Sequence, residues 1–297
     1  YIVLFGLGTG LLLQRNIRWW AVGGFAVSAI FGITQWQADR QSVRLNLTPG
    51  TPAIFQEDFT SQSSLLVDTG DVRSIESKVI PILRTRGVDW LNAIVLTHSS
   101  KHQVAGLTNL VKVMPPQLVN RSHAKIRSTK YSRAIDELLT ARPNLERRVS
   151  VGDRIGAWEV LHPVRGEDQS RNIDNALVLR AIFHGVRVLL MSDLGEVGQE
   201  LLVMRVDNLH ADLVVTTVPN FGEPLQPWLL EAIQPKVILV HDSLFPLGER
   251  APAKLRARLA RVEAQAFYST DVGGTRVEIT PEGWRVLNAS GILWSSR

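Results

Sequence analysis

Ile94-Val95-Leu96-Thr97-His98-Ser99-Ser100-Lys101-His102-Gln103-Val104-Ala105-Gly106 is the stretch on which the reading of the whole chain turns. An apolar, β-branched run stops at Thr97. Histidines follow at 98 and 102, and Ala105-Gly106 opens a helical pattern. The form is a buried strand, a loop and a helix N-terminus, with polar side chains at the strand's C-terminal end. Open α/β sheets place their chemistry there. The same letters carry a local reading, since Ser100-Lys101-His102-Gln103 has the S-x-x-Q spacing of a capping box.

Outward from this stretch, strand and helix patterns alternate. Upstream, Val43 to Leu47 and Ser64 to Val67 read as strands, the second ending in Asp68-Thr69-Gly70. Val72 to Arg86 has helical spacing, with a kink expected at Pro81. Downstream, a helix runs to about Met114, and a strand from Gln117 to Asn120. Ala176 to Phe183 and Val186 to Met191 read as a hairpin turning at His184-Gly185, closed by Ser192-Asp193. Strands at Asp212 to Val218 and Val237 to Val240, with helices at Leu194 to Val206, Leu225 to Ile233 and Pro252 to Glu263, continue the pattern. Strands at Ala266, Arg276 and Trp284 end it. Such alternation, with hairpins at both ends, predicts one layered α/β domain.

The first residues are different. Tyr1 to Leu13 is apolar and too short to span a bilayer, so it reads as the tail of a truncated helix. Arg15 and Arg18 lie in a short polar loop, and Trp19 to Trp36 carries no charge. As a helix that run measures roughly 27 Å, close to the hydrocarbon thickness. Tryptophans at 19, 20 and 36 stand at its ends like an aromatic belt. A signal peptide and a buried core helix are the other readings of this run. The expected division is a membrane segment at 1–37 and a domain at 42–297. Arginines at 15 and 18 favour a cytoplasmic loop, which puts that domain outside the cytoplasm.

Of 297 residues, 45% are hydrophobic, enough for a large core, and the net charge of +5 is compatible with nucleic acid or anionic lipid. With no cysteine there is no disulfide and no thiolate metal site, so any metal would rest on His, Asp and Glu. Arg121, Lys125, Arg127, Lys130 and Arg133 form a basic stretch without an acid between them, and Lys254, Arg258 and Arg261 share one helix face. Either row serves as a phosphate track or as an ordinary solvated face.

Several segments, in order, resemble one family. Leu65-Leu66-Val67-Asp68-Thr69-Gly70 is similar to an early hydrophobic-D-T-G, and the stretch from Thr97 to Gly106 to T-H-x-H-x-D-H-x-G-G. Asn172 to Asp193 resembles an N-x-x-S-L-V-L…G-D hairpin, Ala211 to Gly222 an A-D-x-L-x-x-x-H-H-G strand, and Tyr268 to Gly274 a closing T-D-x-x-G. Following a membrane helix, this set looks like the C-terminal metallo-β-lactamase-like domain of the ComEC family, the DNA-internalisation competence proteins. The resemblance implies a four-layer αββα sandwich. It also implies a plasma-membrane protein that moves single-stranded DNA through a channel formed by the upstream chain.

The departures bear on chemistry. His98 and Asp193 keep the family's ligand letters, whereas Ser100, His102 and Gln103 replace others, and Asn220-Phe221 replaces the histidine pair. His98, His102 and Asp193 remain as a possible set for one zinc or manganese ion. Asp68, Ser100, Gln103, Asn220 and His241 are expected on the rim. The favoured expectation is a degenerate site without a cofactor. The alternative is a nuclease with a rebuilt one-metal site that degrades the non-transported strand, and a third reading is a pure scaffold. Ser100 to Gln103 and Asp193 to Glu196 both have capping-box spacing, which gives these residues structural work in the metal-free case.

Overall fold

Nine strands form one sheet: β1 (Val43–Leu47), β2 (Ile54–Asp58), β3 (Ser63–Val67), β4 (Leu91–Leu96), β5 (Pro116–Ser122), β6 (Glu146–Val149), β14 (Thr275–Thr280), β15 (Gly283–Asn288) and β16 (Gly291–Ser295). Their order is β16-β15-β14-β1-β2-β3-β4-β5-β6. Seven strands form a second: β7 (Arg154–Ile155), β8 (Trp158–His162), β9 (Val178–Phe183), β10 (Val186–Ser192), β11 (Leu213–Thr217), β12 (Val237–His241) and β13 (Gln265–Tyr268), in descending order. These come from a computed structural model that describes residues 22–29, 32, 41–124, 129–219, 222–244 and 247–296.

The period of two along the strands explains the layering. On β4, Val95 faces the core between the sheets while Ile94 and Leu96 face the helices outside. Val95 and Ile94 are fully buried, each contributing roughly 2 kcal/mol of hydrophobic stabilisation. Leu45 and Val67 of the first sheet meet Leu179, Val188 and Leu213 of the second in that central core. A second core joins helices Glu196–Arg205, Pro227–Ile233 and Ala253–Leu259 to the seven-stranded sheet. A third joins the helices at 72–85, Leu107–Val113 and Lys130–Thr140 to the nine-stranded sheet. The layers are therefore αββα, the sandwich expected from the sequence.

Some elements differ from expectation. Pro81 does not break its helix. A π-helical turn, Ile75–Val79, precedes it and carries the amide of Ile80 to the carbonyl of Ile75. Proline lacks the N–H that the regular ladder would use, and the wider turn absorbs the loss. The helix Lys130–Thr140 was hidden in the basic stretch. Thr129 and Ser132 cap it reciprocally, and Ile135 and Leu139 bury its inner face. Strands β2, β6 and β16 are further additions.

Residues 1–42 and 43–297 separate as two units. In the first, residues 22–29 are helical. Half of the expected span from Trp19 to Trp36, with the tryptophans at its ends, lies outside the described residues. Among those described, no helix is long and apolar enough to cross a membrane.

Candidate active site

The candidate site forms where β3, β4 and β10 end. Asp68 leaves β3 with a φ of +55°, and Ser192 ends β10 with a φ of +49°. Left-handed backbone at a non-glycine residue costs free energy, so tertiary contacts must hold both turns. Asp68 is buried, and its carboxylate accepts from the Thr97 amide at 2.9 Å and the Thr97 hydroxyl at 2.7 Å. The Ser192 hydroxyl lies 2.9 Å from Thr97 Oγ1 and 3.2 Å from Asp193 Oδ1. His98 Nδ1 lies 3.2 Å from Asp193 Oδ1, and Gln103 Nε2 donates to Asp193 Oδ2 at 3.4 Å. One chain of contacts thus runs Asp68, Thr97, Ser192, Asp193, His98, with the two carboxylates joined through two hydroxyls.

Burial pushes the Asp68 carboxyl well above the usual carboxylate range. The Thr97 donors oppose that rise, and the neighbouring Asp193 adds to it. Desolvation disfavours the charged form, and the groups that donate to it are neutral.

Neither expected capping box forms. Ser100 holds the cap position of helix Lys101–Val104, but its hydroxyl makes no cap bond and is buried without a partner. Gln103 instead turns its amide nitrogen to Asp193. The following helix starts at Glu196 with Gly195 as its cap, two residues beyond Asp193. Tertiary packing sets that start. The amide of Gly195 donates to the carbonyl of Ile173, and a Cβ at this position would meet Asp174 Oδ1 at 2.2 Å. Asp193 is therefore free of helix capping and points into the site.

His102 goes elsewhere. Four residues past His98 on a short helix, it places Nδ1 3.2 Å from Glu249 Oε1 in a half-buried contact. Burial raises the Glu249 carboxyl, partly offset by His102 and reinforced by Asp193 and Asp71. His241 lines a narrow cleft with His102, Gln103 and Glu249. Its Nε2–H is committed, however, to the Thr48 carbonyl at 2.7 Å. Burial pushes the imidazole down to about 4, against the opposing effects of that bond and of Asp242, so it is neutral at physiological pH. Asp242 accepts from the Thr270 amide and hydroxyl, both at 2.8 Å, and from the Ala251 amide at 3.2 Å, which pins the surrounding loops. Asn220 lies outside the described residues.

The donor set does not fit a two-metal hydrolase. Such a centre needs several anionic or imidazole ligands converging on each ion. Among the described residues no group of three His, Cys, Asp or Glu side chains is placed to hold a metal. Of the expected trio, His98 and Asp193 meet while His102 pairs with Glu249. The remaining neighbours of Asp193 are a hydroxyl and an amide. Among the described residues, His98 Nε2, Ser100 Oγ and Gln103 Oε1 are buried without hydrogen-bond partners.

The expected phosphate tracks are only partly open. Arg121 is buried between Asp136 and Glu146, and Glu146 also takes Arg148. Arg121, Asp136 and Arg148 line a cleft of about 380 Å³ with His98 and Thr97. Lys125 and Arg127 lie outside the described residues. Lys130 sits over the Tyr131 ring, 5.0 Å from its centre, and Arg133 is exposed. On the second row, Glu223 holds both Lys254 and Arg258, whereas Arg261 is exposed.

The residues missed in the sequence are Thr97, Ser192 and Glu249. Ser192 carried a signal, because it stands where the family pattern has glycine. Glu249 carried none, since only the return of a distant loop brings it to His102.

No family model matches the chain, and no curated protein matches it. Among solved structures it is similar to the metallo-β-lactamase fold protein YhfI from Bacillus subtilis, at 13% identity. That match covers 77% of this chain and 96% of the other, with a TM-score of 0.47. A metal-dependent hydrolase of the β-lactamase superfamily matches at 11% identity over 76% of this chain and 95% of its own, TM-score 0.48. A diphosphatase of the PhnP family matches at 13% identity over 76% and 94%, TM-score 0.46.

Proposed function

We propose that residues 42–297 are a non-hydrolytic, metal-free domain of metallo-β-lactamase-like fold, serving single-stranded DNA uptake in a ComEC-like membrane protein. In this reading the domain lies outside the cytoplasm, held to the plasma membrane through residues 1–37 and joined to an upstream channel. Its task is to guide the strand. The sequence resemblance and the net positive charge support the DNA and membrane parts of the reading.

One observation carries the non-hydrolytic part. Asp193 has its oxygens taken by His98, Ser192 and Gln103, and His102 is turned to Glu249. Phosphodiester hydrolysis in such a site needs a metal-activated water and charge to stabilise the developing oxyanion. Hydroxyl and amide side chains supply neither.

The observation favouring a rebuilt one-metal hydrolase is the trio of unpartnered buried acceptors, His98 Nε2, Ser100 Oγ and Gln103 Oε1. Incubation with zinc or manganese, removal of excess and assay on single- and double-stranded DNA separates the two. The non-hydrolytic reading expects no cleavage; cleavage abolished by chelator and by His98→Ala would establish the hydrolase.

A further inference from the structure

The outer face of the nine-stranded sheet, around β1, β14 and β15, carries a cluster of arginines. Strand register sets one row across it: Glu57 pairs with Arg44, Arg44 with Glu278, and Glu278 with Arg285. Arg276 stands in the next row, opposite Asn46, and Arg86 reaches in from a helix end. Glu278 lies 2.7 Å from Arg285, 3.3 Å from Arg276 and 3.6 Å from Arg44, and Glu57 lies 2.6 Å from Arg86. Four guanidiniums therefore share two carboxylates, which leaves two positive charges in excess.

Glu57 is taken by Arg86, and Glu278 is shared among Arg285, Arg276 and Arg44, so the excess is spread over the cluster. Arg276 and Arg86 both line one cleft of about 400 Å³. Like charge is felt there: after burial, which lowers the Arg86 pKa, Glu57 raises it while Arg276 and Arg44 lower it further. Asn46 Oδ1 accepts from Arg276 Nε at 3.2 Å and so fixes the guanidinium. The cleft shares no lining residue with those at His98 and His241.

We propose that this cleft binds a phosphate group, held by the guanidiniums of Arg86 and Arg276. Two excess charges match a dianion, and planar guanidinium forks suit an oxyanion with several acceptor oxygens. A cation is disfavoured by the same excess. The inference stands on the charge arrangement and is independent of the metal-free reading above.

The test is calorimetric titration of the full chain with inorganic phosphate in chloride buffer. Saturable one-to-one binding is expected. Arg276→Gln, at a side chain 41% exposed on a sheet face, should fold normally and weaken binding on the order of tenfold. Arg86→Gln should weaken it as well. No saturable binding overturns the proposal, as does affinity unchanged in both variants when circular dichroism shows them folded. A thymidine oligonucleotide identifies the natural source. Binding that phosphate displaces assigns the site to a phosphodiester backbone, and no binding assigns it to a small phosphate compound; both uphold the oxyanion site.

Discussion

Asp68 and Glu278 are both buried carboxylates, and their surroundings are opposite. Asp68 sits at the strand ends among hydroxyls and an amide, and burial raises its pKa. Burial also pushes Glu278 up, but hydrogen bonds from Arg285 and Arg276 and the charge of Arg44 outweigh that and hold it below the usual range. One region has filled its acid with neutral donors and has little charge to offer a cation. The other has covered its acid with more guanidinium than it needs and retains charge for an anion. Within one fold, the place where the sheet normally presents its chemistry is the electrostatically quiet one.

The largest expected effect comes from removing the carboxylate that holds the strand ends together. Asp193→Ala leaves His98 Nδ1, Gln103 Nε2 and the Ser192 hydroxyl without their shared acceptor. Unfolding stability should fall by about 4 kcal/mol, read from urea denaturation. A loss within about 0.5 kcal/mol, the scale of an ordinary surface change, would mean the network is not structural.

Next in size is the pH dependence set by His241. Its folded pKa, about 4, lies below the unfolded value of 6.5, so the unfolded chain binds more protons between these values. Stability should therefore rise with pH across that window, by roughly 3 kcal/mol for this group. His241→Gln should flatten the rise in a urea-midpoint series against pH.

The contrast between the two acids sharpens with a matched pair of amides. The raised Asp68 contributes stability that is full below its unfolded value of 3.8 and is lost as pH rises through its folded pKa. Asp68→Asn should thus cost less at pH 7 than at pH 4. The lowered Glu278 contributes stability that is present above its unfolded value of 4.5 and is lost as pH falls through its folded pKa. Glu278→Gln should cost about 1 kcal/mol at pH 7 and progressively less on acidification. It should also tighten phosphate binding, because the cluster then carries one more uncompensated charge. Costs that vary with pH in the same sense for both variants would break the comparison.

The smallest expected effect is at the half-buried pair. Glu249→Gln should change stability by no more than about 0.5 kcal/mol, since its contact with His102 is partly solvated. A large loss in thermal unfolding would mean that the contact closes the site.

The sequence made the layers legible because buried strands must be apolar on both faces, as at Ile94 to Leu96. It also pointed to His98, which follows the end of an apolar, β-branched run, while the family resemblance pointed to Asp193. The capping boxes failed because a cap depends on where a helix begins, and Asp174 against Gly195 moved one start by two residues. His102 is of a ligating type, but its imidazole pairs with Glu249 and not with Asp193. The arginine face was illegible for a topological reason: Arg44 and Arg276 are far apart in the chain and become neighbours only when β14 pairs with β1.

The most direct measurement of the central claim is the metal content of the purified full chain after incubation with zinc or manganese and removal of excess, for the wild type and for His98→Ala. The account expects no stoichiometric metal in either. One tightly held ion per wild-type chain, lost in His98→Ala with the fold intact, would contradict it.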